Sequence, residues 1–157
     1  MIGNDVVDLA LTEQENNWQR KGFLEKIFTV DEQLRIENAA DKPVLIWTMW
    51  SQKEAVYKIL RQKGASRGFY PLKIACLNAE NVRYQNEDFY TKTSKVETSL
   101  QTLAVTKKTD FDKCRSLSLA APLVYEKEIP FYLKNGIQLN ATKSHHGRFE
   151  SIYYIEK

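Results

Sequence analysis

The chain has 157 residues, of which 43% are hydrophobic and 27% charged, and its net charge is +3. This size and apolar content suffice for one hydrophobic core, so the composition argues against disorder and predicts a single domain over residues 1–157. No run of about 18 apolar residues could span a bilayer, and the first residues lack the basic and apolar segments of a signal peptide. We therefore expect a cytoplasmic protein without a membrane partner.

The charge is distributed unevenly along the chain. Residues 51–73 carry six bases and one acid, whereas residues 5–41 carry nine acids and four bases. A net charge of +3 is too small to indicate nucleic-acid binding by itself, and the local excess of bases favours a polyanionic ligand of modest size. The two cysteines have neither metal-binding spacing nor partners for a disulfide framework, so we assign them no function.

The first predicted elements are a strand and two short helices. Residues 2–9 are rich in valine and end in a polar stretch, which is typical of a strand. Residues 12–15 and 29–32 each have the spacing of a capping box, in which a threonine caps the helix start and a glutamate bonds back to it. The first helix is expected to end near residue 22 and the second near residue 40.

A long helix is predicted over residues 44–63, followed by the glycines at 64 and 68. Its apolar residues are too dense for one narrow stripe, so we expect it to be packed on most of its circumference. The remaining pattern is mostly β. The predicted strands are residues 71–77, 82–85, 96–106, 117–125, 137–142 and 149–155, with loops at 78–94 and 109–115. These elements predict an α+β fold in which an antiparallel sheet packs on a long central helix.

Glu54 and Lys58 are the first candidate functional residues. They lie four residues apart and therefore face the same side of the long helix. Most such pairs are surface ion pairs that contribute a few tenths of a kcal/mol. Here Trp47, Trp50 and Ser51 project to nearly the same side, and a carboxylate and an ammonium beside aromatic surface are costly unless a ligand or metal uses them.

Two further segments could complete a site with this pair. Asp5, near the end of the first strand, could simply cap a turn, but with Glu54 it could bind magnesium, which takes one or two protein carboxylates plus water and phosphate oxygens. Residues 143–148 read Lys-Ser-His-His-Gly-Arg and could form a polar hairpin turn. Alternatively, Lys143 and His145 could donate to phosphate. Adjacent histidines without a nearby cysteine do not favour zinc.

Together these segments resemble the 4'-phosphopantetheinyl transferases. The family's glycine-x-aspartate motif matches residues 3–5, and its motif of phenylalanine or leucine, threonine, two residues and glutamate matches residues 28–32. Its most specific motif, tryptophan, two residues, lysine-glutamate-alanine, three residues and lysine, matches residues 50–58. Its serine-histidine motif matches residues 144–145. Because this last motif follows the lysine-glutamate helix, the chain resembles the short, holo-acyl-carrier-protein-synthase-like type.

The resemblance implies an enzyme that moves 4'-phosphopantetheine from coenzyme A onto a serine of an apo acyl or peptidyl carrier protein, releasing adenosine 3',5'-bisphosphate. Asp5 and Glu54 would hold Mg²⁺ against the diphosphate. Val7 stands where many two-lobed members have another acid. Lys58 would neutralise charge developing on the transferred phosphoryl group, as phosphoryl transfer depends chiefly on positioning and electrostatics. The base would be either Glu54 or a metal-bound water.

The resemblance also implies contacts with coenzyme A and with other protein molecules. Lys143, Ser144 and His145 would contact coenzyme A phosphate, and Lys63 and Arg67 are weaker candidates for its 3'-phosphate. A chain with one set of motifs would obtain the second wall of its site from a neighbouring copy, so a homo-oligomer is expected, with a trimer favoured. The carrier's acidic helix could meet bases of this chain. Those bases are Arg20, Lys21 and Arg35, or the stretch at residues 53–73.

Two other interpretations remain. The same fold could be a non-catalytic module that binds coenzyme A or a carrier protein, although such a module has little use for Asp5, Glu54 and Lys58 together. A small RNA-binding protein could instead use the basic stretch with nearby aromatic residues as stacking surfaces, but helical burial explains Trp47 and Trp50 more simply. The carrier and its pathway, whether fatty acid, polyketide, peptide or pigment synthesis, are not determined by these motifs.

Overall fold

The protein is described by a computed structural model that covers all 157 residues. The helices are α1 (Leu9–Glu15), α2 (Phe23–Ile27), α3 (Val30–Glu37) and α4 (Lys42–Gln62). The strands are β1 (Ile2–Asp8), β2 (Ile74–Cys76), β3 (Asn81–Tyr84), β4 (Glu87–Val96), β5 (Ser99–Val105), β6 (Cys114–Leu117), β7 (Leu123–Glu126), β8 (Ile129–Lys134), β9 (Ile137–His146) and β10 (Phe149–Ile155). Short 3-10 helices span Pro71–Lys73 and Lys108–Lys113. None of the helices has both the length and the apolar character that crossing a bilayer requires.

The strands form two antiparallel sheets of five strands each. Their orders are β1-β5-β4-β3-β2 and β6-β10-β9-β8-β7. Helix α4 packs against the first sheet, and the main core lies between them, with Phe28, Ile59 and Phe89 among its fully buried side chains. The α+β fold with a sheet on a long helix is confirmed. The division into two sheets was not predicted, because the sequence shows where strands occur but not which strands pair.

The long helix lies close to its predicted bounds of 44–63, beginning at Lys42 and ending at Gln62. Asp41 caps its start by accepting a hydrogen bond from the N–H of Val44 at 3.1 Å, and Pro43 occupies the first turn, where it removes no intrahelical hydrogen bond. At the other end Gly64 has a φ of 94°, the left-handed conformation typical of a glycine after a helix. Ten residues of α4 are buried, so the prediction of packing on most sides is confirmed.

One of the two predicted helix starts is wrong. Helix α1 begins at Leu9, where the Asp8 carboxylate accepts from the N–H of Leu11, and Thr12 lies inside the helix with its hydroxyl donating to the carbonyl of Leu9. The helix ends at Glu15 instead of continuing to residue 22. The second start is correct: Thr29 and Glu32 form a complete capping box before α3, because this motif depends only on local hydrogen bonds.

The strand predictions fail where the sequence is polar. The strand predicted at residues 82–85 is confirmed as β3, but the rest of the expected loop at 78–94 contains most of β4, and β8 is an additional strand that the sequence pattern does not predict. Strand β4 has only two buried residues, Phe89 and Thr91. It is held instead by hydrogen bonds to β3 and β5 on both sides. Pairing on both edges can stabilise a polar strand, which hydrophobic periodicity does not reveal.

Gly3 allows β1 to cross α4 at close range. A Cβ atom at this position would lie 1.9 Å from the carbonyl oxygen of Ala55 and 3.3 Å from Cγ1 of Ile59. No side chain can be placed there without moving the backbone of the helix. The close approach brings Asp5, two residues further along β1, to the face of α4 that carries Glu54 and Lys58.

Replacing Gly3 by Ala should therefore destabilise the protein by about 3 kcal/mol, because overpacking against a helix backbone cannot be relieved by a rotamer change. Urea denaturation followed by circular dichroism would measure the loss. Gly68→Ala is a suitable control, since its added Cβ would meet only the Tyr70 ring, at 3.3 Å. Equal stabilities of the two variants would show that the β1–α4 contact is looser than described.

The second sheet is attached to β1 by side chains of β9. Strand β1 pairs with β5 along one edge, and N–H groups on its other edge donate to β9 side chains. The pairs are Asn4 N to Thr142 Oγ1 (3.1 Å), Val6 N to Ser144 Oγ (3.1 Å) and Asp8 N to His146 Nδ1 (2.9 Å).

Arg148, in the turn after β9, makes a bidentate ion pair with Asp8, and this pair holds the pKa of the Asp8 carboxyl well below its usual range. Asp8 therefore has a structural function.

Candidate active site

Strand β1, helix α4 and strand β9 bring three charged groups together. Asp5 is 9% exposed, and its Oδ1 atom accepts a hydrogen bond from the Ser144 hydroxyl at 3.0 Å. The same oxygen lies 3.7 Å from Nζ of Lys58. Burial raises the pKa of Asp5, and the Lys58 ammonium opposes this shift.

Lys58 joins the three elements. Its ammonium donates to the carbonyl oxygens of Asn4 at 2.6 Å and Lys143 at 3.2 Å, in addition to its contact with Asp5. Burial lowers the pKa of Lys58, and the nearby Asp5 and Glu54 carboxylates counteract the decrease. Lys58 is thus fixed in position by backbone groups of two strands while its charge remains available to an anion.

Glu54 is the second carboxylate of this group, and its pKa is also raised. Burial, followed by repulsion from Asp5, raises its pKa to about 7, and only the charge of Lys58 opposes the increase. No hydrogen bond or ion pair within the chain involves its carboxylate. Two carboxylates with raised pKa values beside a single lysine form a site that a cation would stabilise.

An aromatic cavity of about 380 Å³ opens at these carboxylates. We call it the aromatic cavity because its apolar lining includes Phe23, Trp47 and Trp50, with Asp5 and Glu54 at its polar end. The prediction that both tryptophans lie on the side of Glu54 is confirmed. His145 and His146 also line it.

A second cavity, of about 340 Å³, lies beyond Lys58 and is basic. Its lining, which defines the basic cavity, includes Lys58, Arg61, Arg67 and Lys143. Glu128, in the turn between β7 and β8, pairs with Arg67 at 3.1 Å and with Arg61 at 3.8 Å. The cavity therefore presents an excess of positive charge next to the pair of carboxylates, an arrangement suited to an anion with several phosphates.

Comparisons with known proteins identify the family of this chain. The model of the 4'-phosphopantetheinyl transferase superfamily matches residues 1–115. The chain belongs to this superfamily. The resemblance inferred from the motifs is therefore confirmed, and the chain is a phosphopantetheinyl transferase of the holo-acyl-carrier-protein-synthase-like type. No curated protein sequence matches it.

The fold of the transferase is similar to that of a solved structure. This is the crystal structure of holo-[acyl-carrier-protein] synthase from Neisseria meningitidis, with a TM-score of 0.56 and 20% sequence identity. The match covers 68% of the present chain and 97% of that protein. At this identity the similarity concerns the fold alone. The family match ends at residue 115, before most of the second sheet, so the residues that β9 contributes to the site lie outside it.

The structure separates the other predicted site residues. Lys143 lies at the basic cavity and pairs with Glu150 at 2.5 Å, and His145 is exposed at the aromatic cavity. Ser144 is buried between them, with its hydroxyl proton directed to Asp5. Lys63 is not brought to the site: it pairs with Glu87 at a different part of the surface, since the turn after α4 directs it to the first sheet.

Sequence reasoning missed Arg61 and Tyr57 of the transferase. Both line the basic cavity, and the Arg61 guanidinium also donates to the carbonyl of Ala65 at 2.6 Å. Helical spacing could have identified Arg61, since it lies three residues after Lys58 on α4 and therefore on the same side of the helix. The matched motif ends at Lys58, so it gives no indication of Arg61.

Lys53, next to Glu54 in the most specific motif, is not a surface residue. It is 1% exposed, and its ammonium donates to Glu32 at 2.8 Å and to the carbonyls of Pro71 at 2.9 Å and Ile74 at 2.5 Å. Glu32 also accepts the N–H of Cys76 at 2.6 Å. The expectation that a carrier could meet the stretch beginning at Lys53 is therefore wrong for this residue, because α4 turns it into the core.

No group of three or more His, Cys, Asp and Glu side chains in the transferase is close enough to share a metal ion. Asp5 and Glu54 are thus the only two acids of this site. Their donor chemistry fits a hard cation: both are carboxylates, both have raised pKa values from burial, and Glu54 has no partner in the chain. Water and phosphate oxygens would have to complete an octahedral set.

Proposed function

We propose that the transferase moves 4'-phosphopantetheine from coenzyme A to the serine hydroxyl of an apo acyl or peptidyl carrier protein and releases adenosine 3',5'-bisphosphate. The observation that carries this proposal is the position of Asp5, Glu54 and Lys58 at the junction of the basic and aromatic cavities. Membership of the superfamily supports the type of reaction. The arrangement supports the residues that would perform it.

The two cavities suggest how coenzyme A would lie. Its 3'-phosphate and diphosphate are anionic, and Arg61, Arg67 and Lys143 at the basic cavity are suited to bind them. The pantetheine arm is uncharged and extended, which fits the aromatic cavity beyond Glu54. The diphosphate would then lie beside Lys58, and His145 could donate to it from the rim.

Asp5 and Glu54 would hold Mg²⁺, which supplies positive charge to the diphosphate as the bond to the leaving group breaks. Lys58 is held by two carbonyl groups so that its charge need not reorganise during transfer. We propose that Glu54 accepts the proton of the carrier serine, because its carboxylate borders the aromatic cavity and makes no hydrogen bond or ion pair within the chain.

The test is the intact mass of an apo acyl carrier protein after incubation with the transferase, coenzyme A and Mg²⁺. We expect the mass of one phosphopantetheine group to be added, and the gain to be lost with EDTA or with Glu54→Gln. A transferase that binds coenzyme A but modifies none of several acyl and peptidyl carriers would contradict the proposal. That result would favour a non-catalytic binding module.

Lys58→Ala should lower the turnover number far more than it weakens coenzyme A binding. Arg61, Arg67 and Lys143 would still hold the anionic part of the substrate, whereas charge on the transferred phosphoryl group would lose its partner. A reduction of about a hundredfold in kcat is expected, with the Kd for coenzyme A changed several-fold, as measured by titration calorimetry. The opposite pattern would make Lys58 a binding residue only.

The carrier would approach from the side of the aromatic cavity. Arg20 is exposed and its guanidinium lies 5.8 Å from the centre of the Phe23 ring, which lines that cavity. An acidic helix could therefore meet Arg20 and Lys21 while its serine reaches Glu54. Arg35 is a poorer partner, since its guanidinium already donates to the carbonyl of Cys76.

The trimer remains a prediction, but the structure weakens one of the arguments for it. A neighbouring copy was expected to provide the second wall of the site, whereas β9 of the same chain already places Lys143, His145 and His146 beside the cavities. A partner could still pack on exposed apolar residues of the second sheet, which include Tyr125, Leu133 and Ile137. Light scattering coupled to size-exclusion chromatography would determine the oligomeric state.

A further inference from the structure

Three side chains of β9 accept N–H groups of β1, and two of them also donate. Thr142 accepts from Asn4 N and returns its proton to Asn4 Oδ1 at 2.8 Å. Ser144 accepts from Val6 N and directs its proton to Asp5 Oδ1 at 3.0 Å. The two hydroxyls have the same donor and acceptor pattern, but only that of Ser144 ends on a carboxylate of the site.

The Ser144 hydroxyl has no proton left to donate to a phosphate. Its single proton is used by Asp5, and the residue is 6% exposed. A hydrogen bond to a phosphate oxygen of coenzyme A would require the serine to give up its bond to Asp5. Its chemistry is therefore directed at Asp5 and not at the substrate.

The contacts to Asp5 are unequal. Ser144 and Lys58 both approach Oδ1, at 3.0 Å and 3.7 Å. Holding one carboxylate oxygen from two sides restricts rotation of the group. The Ser51 hydroxyl and the Val6 N–H also lie near this carboxylate, but neither forms a hydrogen bond with Oδ2, which is therefore the oxygen available to a cation shared with Glu54. Hydrogen bonds of this kind orient metal ligands in many proteins.

We propose that Ser144 is a positioning residue that orients the Asp5 carboxylate, so that Asp5 and Glu54 face one divalent cation. The inference rests on the proposed function, because it assumes that this carboxylate pair binds the metal. It assigns to the second sheet, beyond the residues matched by the family, a direct part in organising the metal site.

Binding of Mn²⁺ to the coenzyme-free protein, measured by water proton relaxation, tests the proposal without relying on activity. Ser144→Ala should weaken Mn²⁺ affinity ten- to a hundredfold, the usual effect of removing a hydrogen-bond partner of a ligand. Thr142→Ala removes the equivalent pair of hydrogen bonds and should leave Mn²⁺ affinity within twofold. In an Asp5→Asn background, Ser144→Ala should have no further effect.

Ser144→Cys provides a second variant if the alanine protein does not fold, because it nearly preserves volume but donates weakly; its affinity should lie below that of wild type. The inference would be overturned if Ser144→Ala or Ser144→Cys bound Mn²⁺ with wild-type affinity. It would also be overturned if Thr142→Ala lost as much Mn²⁺ affinity as Ser144→Ala, or if the wild type bound no Mn²⁺.

The mass assay on the same wild-type preparation separates the two proposals. Phosphopantetheine transfer together with Ser144-independent Mn²⁺ binding would refute only the positioning role. Ser144-dependent Mn²⁺ binding without modification of any carrier would refute only the proposed reaction.

Discussion

Glu54→Gln should reduce phosphopantetheine transfer by about a thousandfold, the range expected when a general base is removed. The substitution keeps the size of the side chain, so the aromatic cavity retains its shape. It removes the negative charge and the ability to accept a proton. It also removes one of the two carboxylates proposed to hold Mg²⁺. Single-turnover transfer to an apo carrier, followed by mass spectrometry, measures the loss.

The same substitution should stabilise the protein above neutral pH. The folded-state pKa of Glu54 is about 7 against an ordinary value of 4.5, so the native state binds more protons than the unfolded state between these pH values. Stability therefore falls as pH rises from about 4.5 to 7, and the penalty is fully present above 7. It amounts to about 3 kcal/mol, which an uncharged glutamine side chain at this position would not incur.

Urea denaturation in EDTA at several pH values would reveal this effect as a difference between wild type and variant that grows with pH. Glu37→Gln, which changes an exposed carboxylate of α3, is the matched control and should alter neither activity nor the pH dependence. A Glu54→Gln protein that transfers at the wild-type rate would remove Glu54 from the site. Loss of both activity and stability at pH 8 would indicate that the carboxylate has a structural function.

Lys53→Ala should lower the free energy of unfolding by about 3–5 kcal/mol, although Lys53 adjoins Glu54 in the chain. Its removal would leave the Glu32 carboxylate buried without a cation and the carbonyls of Pro71 and Ile74 without a donor. Breaking a buried ion pair costs this much because the remaining charge cannot reach water. Urea denaturation at pH 7 would measure the change.

Lys63→Ala is the appropriate comparison for Lys53→Ala. It removes a lysine at the end of the same helix, but its ion pair with Glu87 is partly exposed, and such pairs contribute about 1 kcal/mol or less. If both alanine variants lost the same stability, the ion pair of Lys53 would not be the buried contact that the structure shows. If Lys53→Ala were stable but lost coenzyme A binding, Lys53 would belong to the site.

Local spacing explains which parts of the fold were predictable. The capping box of Thr29 and Glu32 and the shared helix face of Glu54 and Lys58 depend on residues three or four apart, and both are observed. The first helix was misplaced because Thr12 and Glu15 have a similar spacing, while Asp8, at the end of β1, caps an earlier start. Two local signals competed, and the packing of β1 favoured the earlier one.

Distant contacts explain what the sequence could not reveal about the site. The spacing of residues 50–58 showed a lysine on either side of Glu54, but not that Lys53 enters the core while Lys58 reaches Asp5. A rotation of about 100° per residue places neighbours on different sides of a helix. Which side is buried depends on the elements that pack there.

The sequence by itself determined the family, the long helix with Glu54 and Lys58 on one face, and the presence of an acid near the start of the chain. These features follow from motifs and from helical periodicity, which operate over a few residues. Only the tertiary structure decided that Ser144 faces Asp5, that Lys53 is buried and that Lys63 lies apart. Such contacts join residues up to 139 positions apart, and they form only where packing of the two sheets and α4 brings those positions together.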